Sequence, residues 1–225
     1  MLQKIQYYLI RYPVRTVSAG VASTSLFASL VFFAMGDLLQ DKNPAFFLEN
    51  YKENTIEIYN KKYVKLWQLV ASDLEQQSIA NATYGSKMSV ITDINADNKN
   101  EFLTMADVLG ERKEIQQPIL VYDFKQNILI RHYFTQDFNY LARVYTPRFT
   151  CANFALLQKS ETGTKEILVN AVNMGRSPAF IARLDHEGKE IGKYWHFGSI
   201  HGVDSLDLNH DGKSEIIVWG KNDTQ

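Results

Sequence analysis

The chain has 225 residues with 24 basic and 25 acidic side chains and a net charge of −1. It is long enough for one sizeable domain plus an appendage, and no overall field draws it to nucleic acid or anionic lipid. Its basic residues do not gather with aromatics on one element, which argues further against nucleic acid as a partner.

Residues 1–15 carry Lys4, Arg11 and Arg15 ahead of an uncharged run of 21 residues, Thr16 to Gly36. As a helix rising about 1.5 Å per residue, that run spans about 30 Å, the thickness of a hydrocarbon core. Asp37 and Asp41 follow it. The positive-inside rule therefore makes 1–15 a cytoplasmic tail and 16–36 a transmembrane signal anchor. The rest is then extracytoplasmic, in a periplasm or at a cell surface. A cleaved signal peptide is the alternative: six Ser/Thr residues dilute the run, and Ala34-Met-Gly36 is a small-x-small site. A buried soluble helix is the third reading. Residues 37–54 are polar and mixed around one apolar patch, Pro44–Leu48, and read as a juxtamembrane stalk or a short helix on the membrane or domain.

From residue 55 to 225 the pattern is β. Three hairpins stand out: Thr55–Tyr59 turning at Asn60–Lys62 into Tyr63–Trp67, Ile119–Asp123 turning at Lys125–Asn127 into Ile128–Tyr133, and Ala179–Asp185 turning at Glu187–Gly188 into Ile191–Trp195. The turn residues Asn60, Asp123 and Asp185 are 63 and 62 apart, a period that signals repeated supersecondary units.

Outside the hairpins lies a nine-residue acidic loop that occurs twice, once between the first two and once after the third. The first copy is Asp93-Ile-Asn95-Ala-Asp97-Asn98-Lys99-Asn-Glu101; the second is Asp207-Leu-Asn209-His-Asp211-Gly212-Lys213-Ser-Glu215. Side-chain oxygens fall at positions 1, 3, 5 and 9 of both. Lys99 and Lys213 at position 7 offer a backbone carbonyl. This spacing suits a hard cation such as Ca²⁺, which takes six to eight oxygen ligands. Position 6 must turn through positive φ and is Asn98 or Gly212, the residues that do so most cheaply. An EF-hand is excluded: position 12 is Thr104 or Val218, and the flanks are strands. Since the loops lie 114 residues apart, a middle copy is expected, and Gln158–Glu166 fits. It keeps Gly163 and Glu166 but has Gln, Ser and Thr in place of the other ligands, so it is expected to hold no cation.

A cation loop at a turn between antiparallel strands resembles the FG-GAP repeat of integrin-α-like and VCBS-type β-propellers, over roughly residues 55–225. The resemblance implies an all-β, β-propeller-like array of four-stranded antiparallel blades, two full (88–134 and about 150–197) and two half. The half blades at the ends are expected to mark a truncated piece of a longer propeller, with an open stack, or a homo-oligomer or partner chain completing the ring, as the alternatives. It implies Ca²⁺ as a structural ion and a binding role, with a protein or glycan as ligand, in adhesion, recognition or envelope scaffolding. It does not imply an enzyme. The alternative is a piece of a propeller enzyme, a polysaccharide lyase or a quinoprotein-like dehydrogenase, the latter on the run Asp185 to Trp195.

The remaining chemistry-bearing residues read plainly. Cys151, the single cysteine, sits in the strand-like run Phe149–Phe154 as a small buried hydrophobe. Trp67, Trp195 and Trp219 recur in strands, for packing between sheets or, as the alternative, for stacking on carbohydrate. His132 alternates with apolar neighbours and is expected to face solvent. His196, His201 and His210 are polar surface residues or, as the alternative, a transition-metal group. No nucleophile elbow, zinc-protease motif or phosphate loop is present in the sequence.

Overall fold

The structure, a computed structural model, describes residues 41–72, 89–106, 118–140, 143–145, 148–159, 161–173 and 177–222. The cytoplasmic tail and the transmembrane anchor lie outside the described residues. Among the described residues no helix is long and apolar enough to cross a membrane. Every described element is a strand, and every pairing between strands is antiparallel.

The first sheet joins β1 (Pro44–Asn50), β2 (Thr55–Asn60) and β3 (Lys65–Val70). The second joins β4 (Ser89–Thr92), β5 (Glu101–Thr104), β6 (Ile119–Tyr122) and β7 (Ile128–His132) in simple chain order. A short strand, β8 (Phe134–Thr135), then leads to a two-stranded ribbon of β9 (Phe138–Tyr140) and β10 (Arg143–Tyr145). The third sheet runs β11 (Arg148–Gln158), β12 (Lys165–Asn173), β13 (Ala179–Leu184) and β14 (Glu190–His196), with β8 on the outer edge of β11. The fourth is the hairpin of β15 (Ser199–Leu206) and β16 (Glu215–Lys221).

One expectation is corrected. Pro44–Asn50 is not a stalk or a short helix but the edge strand β1, paired along β2 from Asn50 opposite Thr55 to Phe46 opposite Tyr59. Two features override its polar surroundings. Asn50 caps the connecting turn by accepting the Glu53 N–H at 3.2 Å. The Phe pair then splits to both sides of the sheet, Phe46 stacking on Tyr59 at 5.3 Å and Phe47 meeting Phe102 edge-on at 5.5 Å. Proline is tolerated because it opens the strand, where its missing N–H breaks no ladder.

The 63- and 62-residue period reappears as atomic geometry. In each repeat an Asn or Asp side chain closes the turn between the last two strands of the unit. Asn60 Oδ1 accepts the N–H groups of Lys62 and Val64 at 2.9 and 3.0 Å. Asp123 Oδ1 accepts those of Lys125 and Asn127 at 2.8 and 2.7 Å, and Asp185 Oδ1 those of Glu187 and Lys189 at 3.0 and 2.9 Å. The fourth turn position is left-handed each time: Tyr63 (φ 62°), Gln126 (φ 67°) and Gly188 (φ 84°). Only the last is a glycine because only there does space run out. A Cβ on Gly188 would come within 2.7 Å of the Ile130 side chain in the second sheet.

Consecutive sheets pack face on face. One core spans the first three, with Phe102, Phe149, Phe180, Ile56, Ile58 and Ile167 fully buried in it. Trp67 of the first sheet meets Phe102 and Tyr122 of the second, at 5.9 and 6.0 Å between ring centroids, the packing role foreseen for it. Trp195 packs on Phe149 and Phe180 at 5.7 and 4.8 Å. Cys151 is buried as expected, and burial pushes its thiol well above the ordinary range. His132 is the exception: it is half-buried, 4.6 Å from the Phe134 ring, and burial lowers its pKa.

The fourth sheet sits on the third through a small second core of Ala155, Leu168, Ala179, Ile181, Ile200 and Val203. Two buried asparagines reinforce it. Asn153 donates to the His201 carbonyl at 3.0 Å and accepts the Val203 N–H at 3.2 Å, while Asn170 donates to the Ile200 carbonyl at 3.0 Å. These amides serve β15 much as a neighbouring strand would. Asn153→Ala strands the buried Val203 N–H, at a cost of about 1–3 kcal/mol, and frees the part-buried His201 carbonyl. We expect the Val203 amide to lose protection from hydrogen exchange while amides of β5 and β6 keep theirs. Unchanged protection at Val203 would remove the clasp.

Candidate functional site

The two acidic loops share one set of side-chain-to-backbone hydrogen bonds, to which the second adds a bond from the Asn209 amide to Asp211 at 3.3 Å. In the β4–β5 loop, Asp93 Oδ1 and Oδ2 accept the N–H groups of Asp97 and Asn98 at 3.2 and 2.8 Å. Asn95 accepts the Asp97 N–H at 3.0 Å, Asp97 accepts that of Lys99 at 2.8 Å, and Glu101 reaches back to the Ile94 N–H at 2.8 Å. In the β15–β16 loop, Asp207 holds Asp211 and Gly212 at 3.1 and 2.9 Å, and Asn209 holds Asp211 at 3.0 Å. Asp211 holds Lys213 at 2.8 Å and Glu215 holds Leu208 at 2.8 Å. Each oxygen-bearing position foreseen in the sequence is thus engaged in shaping its loop. Lys99 turns its ammonium onto the Phe124 ring, 4.5 Å from the centroid, which leaves its carbonyl as its contribution to the loop.

Position 6 is left-handed as expected, at Asn98 (φ 65°) and Gly212 (φ 83°). Position 4 is left-handed too, at Ala96 (φ 63°) and His210 (φ 62°). Sequence reading missed this. Ala gives no signal for that region, which costs an L-residue roughly 1–2 kcal/mol, and His enters it more often than most residues but not often enough to mark it. The side chains at positions 1 and 3 impose it by drawing the amides of positions 5 and 6 inward.

The loops differ in setting. The first is held from both sides. The Asn100 N–H donates to Asn43 Oδ1 at 2.6 Å and its side chain to the Pro44 carbonyl at 2.7 Å. On the other side the Lys165 N–H donates to the Ile94 carbonyl at 2.8 Å, and the Lys165 ammonium reaches Thr92. The loop therefore bridges the first, second and third sheets. The second loop is mostly exposed, and Leu208 within it is 57% exposed.

The carboxylate at position 9 separates the loops most sharply. Glu101 is only 3% exposed. Burial raises its pKa to about 7; the Ile94 N–H opposes the rise and the charges of Asp97 and Asp93 add to it. Among the described residues no Lys, Arg or His forms an ion pair with it. Glu166 of the middle loop is as buried, but Lys159 Nζ lies 2.5 Å away and Arg183 Nη2 2.7 Å away. Burial pushes that carboxyl up, yet the Lys159 and Arg183 hydrogen bonds outweigh it and hold the pKa below the usual value. The middle loop thus carries its own cations. It also has a different shape, a tight turn in which the Gly163 N–H (φ 73°) donates to the Lys159 carbonyl at 2.9 Å.

Among the described residues no three His, Cys, Asp or Glu side chains converge as a metal group, neither at the histidines nor at the carboxylates of the two acidic loops. Oxygen donors of mixed type, two Asp, one Asn, one Glu and a main-chain carbonyl, match hard-cation chemistry better than transition-metal chemistry. The chain has no match among family models, curated proteins or solved structures.

A folded-state pKa raised from 4.5 to about 7 means that the folded protein holds a proton on Glu101 that the unfolded chain releases. That stabilisation is complete below about pH 4.5 and is lost as pH rises through about 7. In chelator, denaturation free energy at Glu101 should fall across this window by up to about 3 kcal/mol. Glu101→Gln should flatten that slope, and a slope unchanged in the variant would contradict the assignment.

Proposed function

We propose that this chain is a membrane-anchored, extracytoplasmic binding module whose sheets are blades of a partial, FG-GAP/VCBS-like β-propeller, stabilised by Ca²⁺ in its two outer acidic loops. The observation that carries this reading is the contrast at position 9. Where the repeat places a Lys and an Arg on the buried glutamate, the other ligand residues are lost; where the ligand residues are kept, Glu101 has two neighbouring carboxylates and, among the described residues, no cation. A Ca²⁺ ion supplies the missing charge and takes oxygens from Asp93, Asn95, Asp97, Glu101 and the Lys99 carbonyl, with Asp207, Asn209, Asp211, Glu215 and the Lys213 carbonyl as the second set. Its work there is structural, because every ligand type is spent on closing a turn. The uncharged run 16–36 anchors the module, and an extracytoplasmic setting supplies Ca²⁺ at the concentration that modest sites require. The fold alone does not give the ligand. Four sheets in sequence present strand edges and loops, and a protein ligand suits them better than a reaction does.

The test is the melt of the full chain in detergent, with Ca²⁺ and with chelator. Ca²⁺ at a hundredfold excess over Kd stabilises by about 2.7 kcal/mol per site, which for a domain of this size is about 5–10 °C. Asp93→Ala with Asp207→Ala should abolish the rise, and Glu166→Gln should leave it intact. A cooperative melt indifferent to Ca²⁺ would reduce the loops to ordinary turns.

A further inference from the structure

Asp41, Lys42 and Asn43 lead into β1, and three contacts define the end of the sheets where they do so. Pro44 lies opposite Asn60, so the β2–β3 turn, Asn60–Val64, is beside it. Asn43 and Pro44 accept hydrogen bonds from Asn100 at 2.6 and 2.7 Å, which brings the first acidic loop to the same end. Lys99 of that loop sits 4.5 Å over the Phe124 ring, which adds the β6–β7 turn.

This end presents aromatic rings together with lysines. Tyr63 is 79% exposed and Val64 39%, and Lys61 and Lys62 beside them are exposed. The Asn60 side chain holds Tyr63 in the left-handed region (φ 62°), where its ring meets Phe46 at 5.1 Å yet stays in solvent. The second turn adds Phe124, with the exposed Lys99 and Lys125 over its ring at 4.5 and 5.3 Å. The carboxylates of these loops, Asp93, Asp97, Glu101 and Asp123, turn inward onto main-chain N–H groups. The opposite end of the first sheet differs. There Tyr51 donates to Glu49 at 2.6 Å, and Glu53 follows Lys52.

Aromatic side chains with a polar tip settle at the boundary between lipid and water, and lysines beside them meet the phosphates of anionic lipid. The length of the tether brings such a boundary within reach. Eight peptide steps separate Gly36, the end of the uncharged run, from Pro44, and at full extension they span at most about 29 Å. We infer that Lys61–Val64 and the Phe124 turn seat on the surface of the bilayer that holds the anchor. Tyr63 then lies at headgroup level, with Lys61 and Lys62 against lipid phosphate. The inference rests on the membrane-anchor reading and not on the cation.

The test uses the full chain in nanodiscs of phosphatidylcholine and phosphatidylglycerol, with a gadolinium chelate on a fraction of the headgroups. Paramagnetic broadening of amide signals falls steeply with distance, and the two ends of β1 are about 20 Å apart. Amides of Lys61–Val64 and Lys125 should lose their signals, while those of Tyr51–Glu53 at the opposite end keep theirs. In phosphatidylcholine alone the loss should shrink, since each lysine near an anionic surface is worth about fivefold. Tyr63→Gly suits the left-handed position, and Lys61→Glu with Lys62→Glu changes only exposed sites, so both variants keep the fold. Each should restore the signals of Lys125 and Val64, with amides of β5 and β6 unmoved. A chain that carbonate extracts from the same lipid would overturn the anchor and the seating together. An inserted chain whose two ends broaden alike, or whose broadening ignores both variants, would overturn the seating alone.

Discussion

Taking a carboxylate out of water costs several kcal/mol unless a cation or strong donors meet it. Each repeat of this chain sets a glutamate at the end of its loop, where the second strand begins: Glu101, Glu166 and Glu215. The same problem arises three times and the surroundings answer it differently. Glu166 meets Lys159 and Arg183 from its own sheet. Glu101 meets one amide and the charges of two aspartates, so its proton is retained well above the usual range. Glu215 keeps the amide bond but lies partly in solvent, where water does much of the work. How each glutamate is neutralised decides what its loop can be.

The other repeated constraint is the side-chain oxygen that closes each strand turn. Asn60, Asp123 and Asp185 each take two main-chain N–H groups, so the turn shape follows from one residue and tolerates Tyr, Gln or Gly at the left-handed position. That economy explains how units with little sequence in common keep one geometry. It also fixes strand register, because a slipped pairing would leave the turn oxygen without its amides.

Much of this was legible in the letters. Most strands from 55 onward, the three turns, the acidic loops and the place of the degenerate middle copy declared themselves through alternation, turn chemistry and spacing; β8, β9 and β10 did not, and neither did the tight turn that the middle copy adopts. What escaped detection depends on contacts distant in sequence. β1 was hidden because its evidence is Phe47 packing against Phe102, which lies 55 positions on. The left-handed Ala96 has no propensity signal, and that of His210 is weak. Asn153 and Asn170 read as ordinary polar residues in a strand until β15 is seen above them. Half-burial of His132 depends on Phe134 folding back over it rather than on the alternation that pointed it outward.

The placement of the first loop bears on what a cation would do there. Its main chain is tied at one end to Asn43 and Pro44 and at the other to Lys165, so the three sheets it bridges share one set of hydrogen bonds. An ion held among Asp93, Asn95, Asp97 and Glu101 would stiffen that shared segment rather than expose an open coordination position to a substrate. Its free energy would then appear as cohesion between sheets, felt at faces far from the ion. A binding surface on loops and strand edges benefits from such stiffness, because a rigid surface loses less conformational freedom when a partner binds. Among the described residues the second loop is tied only to its own hairpin, and it is mostly exposed. An ion there would order β15 and β16 themselves.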